Sequence, residues 1–215
     1  MKGIIFDLDG TLIDSLEDIG VCMNKVLEKN GLKTYQIPKY KDFVGGGVEF
    51  LVNNVLNTKE ELLLKDKITK EFKDVYEQQL HTKTKAYDGV YELLEKLQKE
   101  DFKIGILSNK PHEFTIEYAK LLFSNYKIEE IHGQKEQVPK KPNPQSAISI
   151  AKKFRIACEE LYFVGDTKVD MQTAKNAKMK AIGVLWGFRT KEELEENGAD
   201  FLVSHPLEIL DIVNK

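Results

Sequence analysis

FDLDGTL, residues 6–12, follows directly on the apolar run Gly3–Ile5. Within it Asp7 and Asp9 stand two residues apart, and Gly10 and Thr11 come next. Apolar residues that end in two acids are typical of a buried strand that carries carboxylates at its own C-terminal end. In an open α/β sheet, ligands bind at that end. We therefore expect Asp7 to act as a nucleophile and Asp9 as its acid/base partner.

The composition is that of an ordinary globular protein. The chain has 215 residues, 41% of them hydrophobic and 31% charged, and its formal net charge of −3 gives no basic footprint for nucleic acid. No apolar run approaches the ~18 residues of a membrane span. The first apolar run begins at Gly3, so we expect no signal peptide and a cytoplasmic protein without nucleic-acid or membrane partners. The oligomeric state stays open between a monomer and a small homo-oligomer.

The second part of the chain alternates strand and helix patterns. After residue 86, apolar runs predict strands at 103–107, 130–133, 161–164, 181–185 and 201–203, with helical periodicity between them. This alternation predicts an α/β fold with a doubly wound parallel sheet and right-handed crossovers.

Residues 15–82 show helical patterns only. Ser15–Asp18 predicts a capping box at the start of one helix, and further helices are expected at Val48–Leu56 and Lys59–Leu80. A block of this length is too long to be a loop. We therefore predict an α-helical cap domain at 15–82, inserted into a core domain made of 1–14 and 83–215.

Polar residues stand where four segments leave strands or enter helices. Because parallel strands end on one edge of a sheet, these groups should converge. The set combines carboxylates, one lysine and small hydroxyl or amide groups, which favours a hard divalent cation, Mg²⁺ above all. The four groups are Asp7, Asp9 and Thr11; Ser108 and Asn109; Lys141 before Pro142; and Asp166 and Asp170 after Gly165.

Such a set suits phosphoryl transfer. A carboxylate can attack phosphorus and form an aspartyl-phosphate, and the reaction depends mainly on positioning and on charge stabilisation at the phosphoryl oxygens. Lys141, the hydroxyls of Thr11 and Ser108 and the backbone near Asn109 are the candidates to hold those oxygens. Asp9 is placed to protonate the leaving alcohol and then to activate water.

All four motifs, in this order, resemble those of the haloacid dehalogenase-like superfamily, in the branch with a helical cap after the first motif. The resemblance covers the whole chain and implies a Rossmann-like core. It rests on Asp7-Leu8-Asp9-Gly10-Thr11, on Ser108, on Lys141-Pro142-Asn143-Pro144, and on Gly165-Asp166 with Asp170.

The resemblance implies roles for the acids. Asp7 is expected to be the nucleophile and a metal ligand, and Asp9 the acid/base with its backbone carbonyl on the metal. Asp166 is expected to bind the metal, and Asp170 to bind it or to support a ligand. Dehalogenases of the superfamily lack the second acid because a halide needs no proton, so Asp9 favours a phosphatase.

Three further segments resemble the phosphoglycolate phosphatase-like subgroup: Val44–Gly47, Trp186–Arg189 and Gly198–Asp200. This implies Mg²⁺-dependent hydrolysis of a small phosphorylated metabolite. The carboxylate of such a substrate needs a cation or amides. The candidates are Lys41, the backbone of Gly45, Gly46 and Gly47, and Arg189, and the sequence does not choose among them.

Other functions share parts of this pattern. A pyrophosphatase or nucleotidase of the same fold is the nearest alternative. Phosphoglucomutases of this superfamily use a histidine on the first cap helix, where this chain has Ile19. A non-catalytic phospho-receiver module also gathers acids at strand ends, but it would not carry a helical cap after its first strand.

Overall fold

A six-stranded parallel sheet forms the centre of the computed structural model, which describes residues 2–79 and 82–214. Its strand order is β5-β4-β1-β6-β7-β8, so the strand order reverses beside the central β1. In doubly wound sheets that reversal opens a ligand crevice at the carboxyl ends of the strands. The predicted fold class is confirmed. The strands are β1 (Gly3–Phe6), β2 (Ile13–Asp14), β3 (Lys85–Ala86), β4 (Lys103–Pro111), β5 (Glu130–Gln134), β6 (Leu161–Gly165), β7 (Lys180–Val184) and β8 (Phe201–Val203).

Helices cover both faces of this sheet, because strand side chains alternate between the faces. Ile4 and Phe6 pack in one apolar cluster with α5 (Val90–Lys99), α6 (His112–Phe123) and α10 (Glu208–Val213). Ile5 points the other way, into a second cluster with α7 (Gln145–Phe154), α8 (Lys168–Asn176) and α9 (Lys191–Glu196). Burial on both faces explains why the strand segments are continuously apolar.

The remaining helices lie between β2 and β3. They are α1 (Leu16–Lys29), a 3-10 helix (Ile37–Asp42), α2 (Val48–Val55), α3 (Lys59–Leu62) and α4 (Lys65–Gln78). The helix α1 packs against the 3-10 helix and α4, and α2 also packs against α4. Buried Tyr40, Val52 and Phe72 belong to the apolar cluster that also contains Ile4 and Phe6. The division into a cap at 15–82 and a core stays a prediction.

A two-stranded antiparallel ribbon joins the two connections to these helices. Ile13 pairs with Ala86, and Asp14 pairs with Lys85. The sequence did not predict this ribbon, because two residues are too few to show an alternating pattern.

Two local predictions differ from the structure. The helix expected at Lys59–Leu80 is divided into α3 and α4, which leaves Leu63 86% exposed while Leu64 packs on the core. Its expected end at Leu80 lies outside the described residues. Ser15 stands at the N-cap of α1, but its hydroxyl makes no capping bond, so the predicted capping box is wrong.

Within the described residues, no helix has the length and apolar character needed to cross a membrane. The cytoplasmic location stays a prediction.

Candidate active site

Three neighbouring strands deliver polar residues to one crevice. Asp7 directly follows β1, and its backbone N–H donates to the Val164 carbonyl at 2.8 Å, which continues the pairing with β6 to the edge of the sheet. On one side β4 carries Ser108 and Asn109 near its end, and on the other Asp166 follows β6. The predicted convergence of these groups is what the structure shows.

Three buried carboxylates form a cluster in this crevice. Asp7, Asp166 and Asp170 each offer one oxygen, and these oxygens lie within 4.8 Å of one another. Asp166 is fixed by the Thr11 hydroxyl, which donates to Oδ1 at 3.2 Å, and by the Phe188 N–H, which donates to Oδ2 at 2.8 Å. Burial raises the pKa of Asp166 well above its usual value, and the charges of Asp170 and Asp7 add to that effect.

Lys141 places one positive charge inside the cluster. Its Nζ lies 2.9 Å from Asp7 Oδ1 and 2.6 Å from Asp170 Oδ1. Burial lowers the pKa of Lys141, but Asp170 and Asp7 outweigh it and hold the pKa above its usual value. Asn109 fixes the backbone of Lys141, since its Oδ1 accepts the N–H at 2.9 Å and its Nδ2 donates to the carbonyl at 3.2 Å. The neighbouring Lys140 is exposed and lies outside the cluster.

The cluster fits a divalent cation. Three carboxylates against one ammonium leave two negative charges in excess when all are ionised, and such buried charge is costly without a counter-ion. Asp7 Oδ1 is buried and accepts no hydrogen bond, although Lys141 lies close to it. Burial raises the pKa of Asp7 to about 7, Lys141 opposes this, and Asp170 adds to it. All three side chains offer oxygen, the ligand that Mg²⁺ prefers.

A cavity of about 50 Å³ lies between the strand ends and the helices of residues 16–78. Asp7, Ser108 and Asn109 line it from the sheet, and Gly45 and Gly47 line it from the glycine-rich loop. Asp9, Lys110 and Pro111 also line it, and the remaining walls are apolar or aromatic side chains: Ile19, Val44, Val48, Leu51, Phe72, Tyr76 and Phe114. An open groove of about 990 Å³ adjoins it, and Gly47, Val48, Asn109 and Pro111 line both.

Comparison with known proteins identifies the family. The family model described as haloacid dehalogenase-like hydrolase matches residues 4–184 of this chain. The chain is a haloacid dehalogenase-like hydrolase. The family predicted from the four motifs is thereby confirmed, and the expectation of a hydrolase of the phosphatase type agrees with the relatives described next.

Two curated relatives and one solved structure show how similar this hydrolase is to known proteins. A phosphoglycolate phosphatase of Aquifex aeolicus is 31% identical, over 100% of this chain and 97% of its own. An N-acetylmuramic acid 6-phosphate phosphatase of Pseudomonas aeruginosa is 25% identical, over 100% and 96%. A crystal structure from Lactobacillus delbrueckii subsp. bulgaricus, named as a candidate phosphoglycolate phosphatase, has a TM-score of 0.91 at 26% identity and covers 99% of this chain and 98% of its own.

Asp9 of the hydrolase stands apart from the carboxylate cluster. Its Oδ1 accepts the Ser15 hydroxyl at 2.5 Å, and its carboxylate lies 3.1 and 3.3 Å from Lys110 Nζ. Sequence reasoning gave neither partner a role at this site. Ser108 and Lys110 are two residues apart on an extended strand and therefore share a face, and this spacing was the signal that could have placed Lys110 beside the motif.

Of the remaining candidate substrate-binding residues, some line the cavity and others contact only the residues around it. Arg189 does not line the cavity, because its guanidinium donates to the carbonyls of Lys41 and Val44 and braces the loop from outside. Gly45 and Gly47 line the cavity, whereas Gly46 lines only the outer groove. Thr11 donates to Asp166 and does not line the cavity. Its assignment to phosphate stays a prediction that this bond does not support.

Proposed function

We propose that this hydrolase is a Mg²⁺-dependent phosphatase that cleaves small phosphate monoesters through an aspartyl-phosphate on Asp7. The arrangement of Asp7 carries the proposal. It is buried, lies 2.9 Å from the Lys141 ammonium, and forms the floor of a cavity that Ser108 and Asn109 also line. A carboxylate in this setting can meet a phosphoryl group, while a cation and donors surround the oxygens of that group.

In the first step, an Asp7 oxygen attacks phosphorus and the bond from phosphorus to the ester oxygen breaks. Asp9 gives its proton to that oxygen, which leaves as an alcohol. Lys141 and the Ser108 hydroxyl hold the phosphoryl oxygens, and Asn109 keeps Lys141 in place through its backbone. In the second step, water attacks phosphorus, Asp9 takes its proton, and the carboxylate of Asp7 is released with inorganic phosphate.

The side chains of Asp7 and Asp166, with the backbone carbonyl of Asp9, would hold Mg²⁺. Bound there, the ion supplies positive charge to the phosphoryl oxygens. Asp170 serves as a further ligand or as a support. Its Oδ2 accepts from the backbone and hydroxyl of Thr167 at 3.0 and 2.7 Å, and its Oδ1 accepts from Lys141. These bonds favour the supporting role.

Phosphoglycolate is the first candidate substrate. The names of the two curated relatives give phosphate esters of carboxylic acids as their substrates, phosphoglycolate and N-acetylmuramic acid 6-phosphate. The cavity of about 50 Å³ opens into the groove of about 990 Å³, so substrate size alone does not separate the two. A pyrophosphatase or nucleotidase activity remains the alternative, and a substrate screen for released phosphate distinguishes them.

We expect Asp7→Asn to lose at least about three orders of magnitude in Mg²⁺-dependent hydrolysis of p-nitrophenyl phosphate, because the amide is a poor nucleophile. The measurement is kcat/KM with and without Mg²⁺. Asp42→Asn, on the exposed end of the 3-10 helix, is the matched control and should keep wild-type activity. Turnover at the wild-type rate by Asp7→Asn contradicts the assignment of the nucleophile.

A further inference from the structure

Lys110 is a buried lysine at the end of β4 for which the proposed reaction has no role. Its side chain is only 4% exposed. Besides Asp9, its Nζ donates to the Tyr76 hydroxyl at 2.8 Å, and it lies over the rings of Tyr76 and Tyr118 at 4.6 and 4.9 Å from their centres. Tyr76 belongs to α4, so the ammonium lies where the sheet and the inserted helices meet.

Lys110 is set apart from the other residues of the cavity by its positive charge. The described residues that line the cavity include two acids, Asp7 and Asp9, and a single cation, Lys110. Lys141 is not among them, and its ammonium is held between Asp7 and Asp170. Beyond the acids and Lys110, the walls are largely hydrocarbon. With Lys141 assigned to the phosphoryl group at Asp7, a second anionic group of the substrate has one cation left in the lining, Lys110.

Lys110 directs two of its hydrogen bonds at a single partner, the carboxylate of Asp9. An ammonium carries three N–H donors. The Nζ of Lys110 donates to both oxygens of the Asp9 carboxylate, at 3.1 and 3.3 Å, and to the Tyr76 hydroxyl, so a further acceptor would take over the longer bond to Asp9. The surrounding aromatic rings and the low exposure reduce competition from water, and this strengthens a charge-assisted hydrogen bond.

We propose that Lys110 binds a carboxylate on the leaving group, so that the enzyme selects small phosphate esters of hydroxy acids. This rests on the proposed phosphatase function and adds the residue that determines its specificity. Lys41 and Arg189, the cationic candidates from the sequence, do not line the cavity. Because Tyr76 holds Lys110 from α4, the subsite is complete only when the inserted helices lie against the sheet.

The test compares two substrates of nearly equal size, 2-phosphoglycolate and ethyl phosphate, which differ by the carboxylate. We expect Lys110→Met to lower kcat/KM for phosphoglycolate about 10- to 100-fold more than for ethyl phosphate, as for a lost charge-assisted hydrogen bond. For each enzyme, the ratio of kcat/KM for phosphoglycolate to kcat/KM for ethyl phosphate does not depend on the fraction of folded enzyme. Dividing the ratio of the variant by that of the wild type also cancels the intrinsic reactivity of each ester.

Two variants serve as comparisons. Lys110→Arg keeps the positive charge and should retain most of the preference for phosphoglycolate. Lys41→Met removes a cation that does not line the cavity and should leave the ratio unchanged.

An equal loss on both substrates in Lys110→Met assigns the lysine to holding Asp9 and overturns the proposal, as does a wild-type enzyme without preference for the carboxylate. Hydrolysis of p-nitrophenyl phosphate, which has no carboxylate, distinguishes failure of the carboxylate subsite from failure of the phosphatase function. If the wild type cleaves it and the ratio is unchanged in Lys110→Met, only the carboxylate subsite is wrong. If the wild type cleaves no monoester, the phosphatase function fails and the subsite with it.

Discussion

Asp7 and Asp166 are held in their neutral form more readily than free carboxylic acids. Burial raises the pKa of Asp7 to about 7 and the pKa of Asp166 well above its usual value. Each group binds its proton more tightly in the folded state than in the unfolded chain. The stability that this contributes is present at low pH and is lost as pH rises through the folded pKa. Without metal, ionisation of the cluster therefore opposes folding above about pH 7.

Added Mg²⁺ should consequently stabilise the protein more at alkaline than at acidic pH, because the ion replaces protons in the cluster. We expect the Mg²⁺-dependent rise in Tm to be larger at about pH 8 than at about pH 6. Thermal melts at both pH values measure it, and Asp7→Asn should show a smaller difference. An equal rise in Tm at both pH values in the wild type would count against a metal on these carboxylates.

At the scale of elements, the glycine-rich loop depends on its close approach to β4. Gly47 has a φ of +82°, and a Cβ there would lie 2.8 Å from the Asn109 carbonyl oxygen. Gly31, at the end of α1, also has a positive φ, +67°, but nothing lies within 4 Å of its Cβ position. The two glycines therefore separate backbone strain from a clash with the strand that carries Ser108 and Asn109.

We expect Gly31→Ala to lower the free energy of unfolding by about 1 kcal/mol, because it forces alanine to a positive φ. Gly47→Ala should lower it further, because alanine is strained at this φ and ψ and its Cβ also meets the Asn109 carbonyl. Only Gly47→Ala should lower kcat/KM for p-nitrophenyl phosphate, since it pushes the loop from Asn109. Denaturant unfolding and steady-state kinetics on both variants provide the measurement. An equal loss of kcat/KM in Gly31→Ala would show that the contact between Gly47 and Asn109 is not the cause of the lost activity.

The sequence predicted most of the sheet and the convergence of Asp7, Ser108 and Asp166, because each stands at the end of an apolar strand whose pattern is visible. It did not predict that Lys110 is buried, since a lysine near the end of a strand usually reaches solvent, and its contact with Tyr76 depends on how α4 packs against the sheet. Ser15 was assigned to a helix cap because its partner, too, lies outside its local sequence pattern. Its local pattern fits a capping box, whereas the actual acceptor, Asp9, comes from a different motif.

For the whole molecule, the connections between the sheet and the inserted helices form a candidate hinge. The ribbon of β2 and β3 ties both connections together. Asp18 on α1 accepts hydrogen bonds from the backbone of Lys83 and Thr84 and from the Thr84 hydroxyl. The second connection is thus fastened to the first inserted helix and should move with it.

We expect residues 15–82 to open and close as a body about residues 14–16 and 82–86, to admit substrate and release product. Structures with and without beryllofluoride should differ by a rotation at these positions, with the bonds of Asp18 to Thr84 kept and the bond from Lys110 to Tyr76 lengthened in the open form. Identical placement of the helices in both structures would argue against such a motion.

The central claim is that Asp7 carries the phosphoryl group. Asp9→Asn should still allow the first step with an activated ester such as p-nitrophenyl phosphate but block hydrolysis of the intermediate. Mass spectrometry of this variant after incubation with Mg²⁺ and the ester is the most direct test. The account predicts a phosphoryl group on the peptide that contains Asp7, and none in the double variant Asp7→Asn, Asp9→Asn. A phosphoryl group on any other residue, or an equal signal in the double variant, would contradict it.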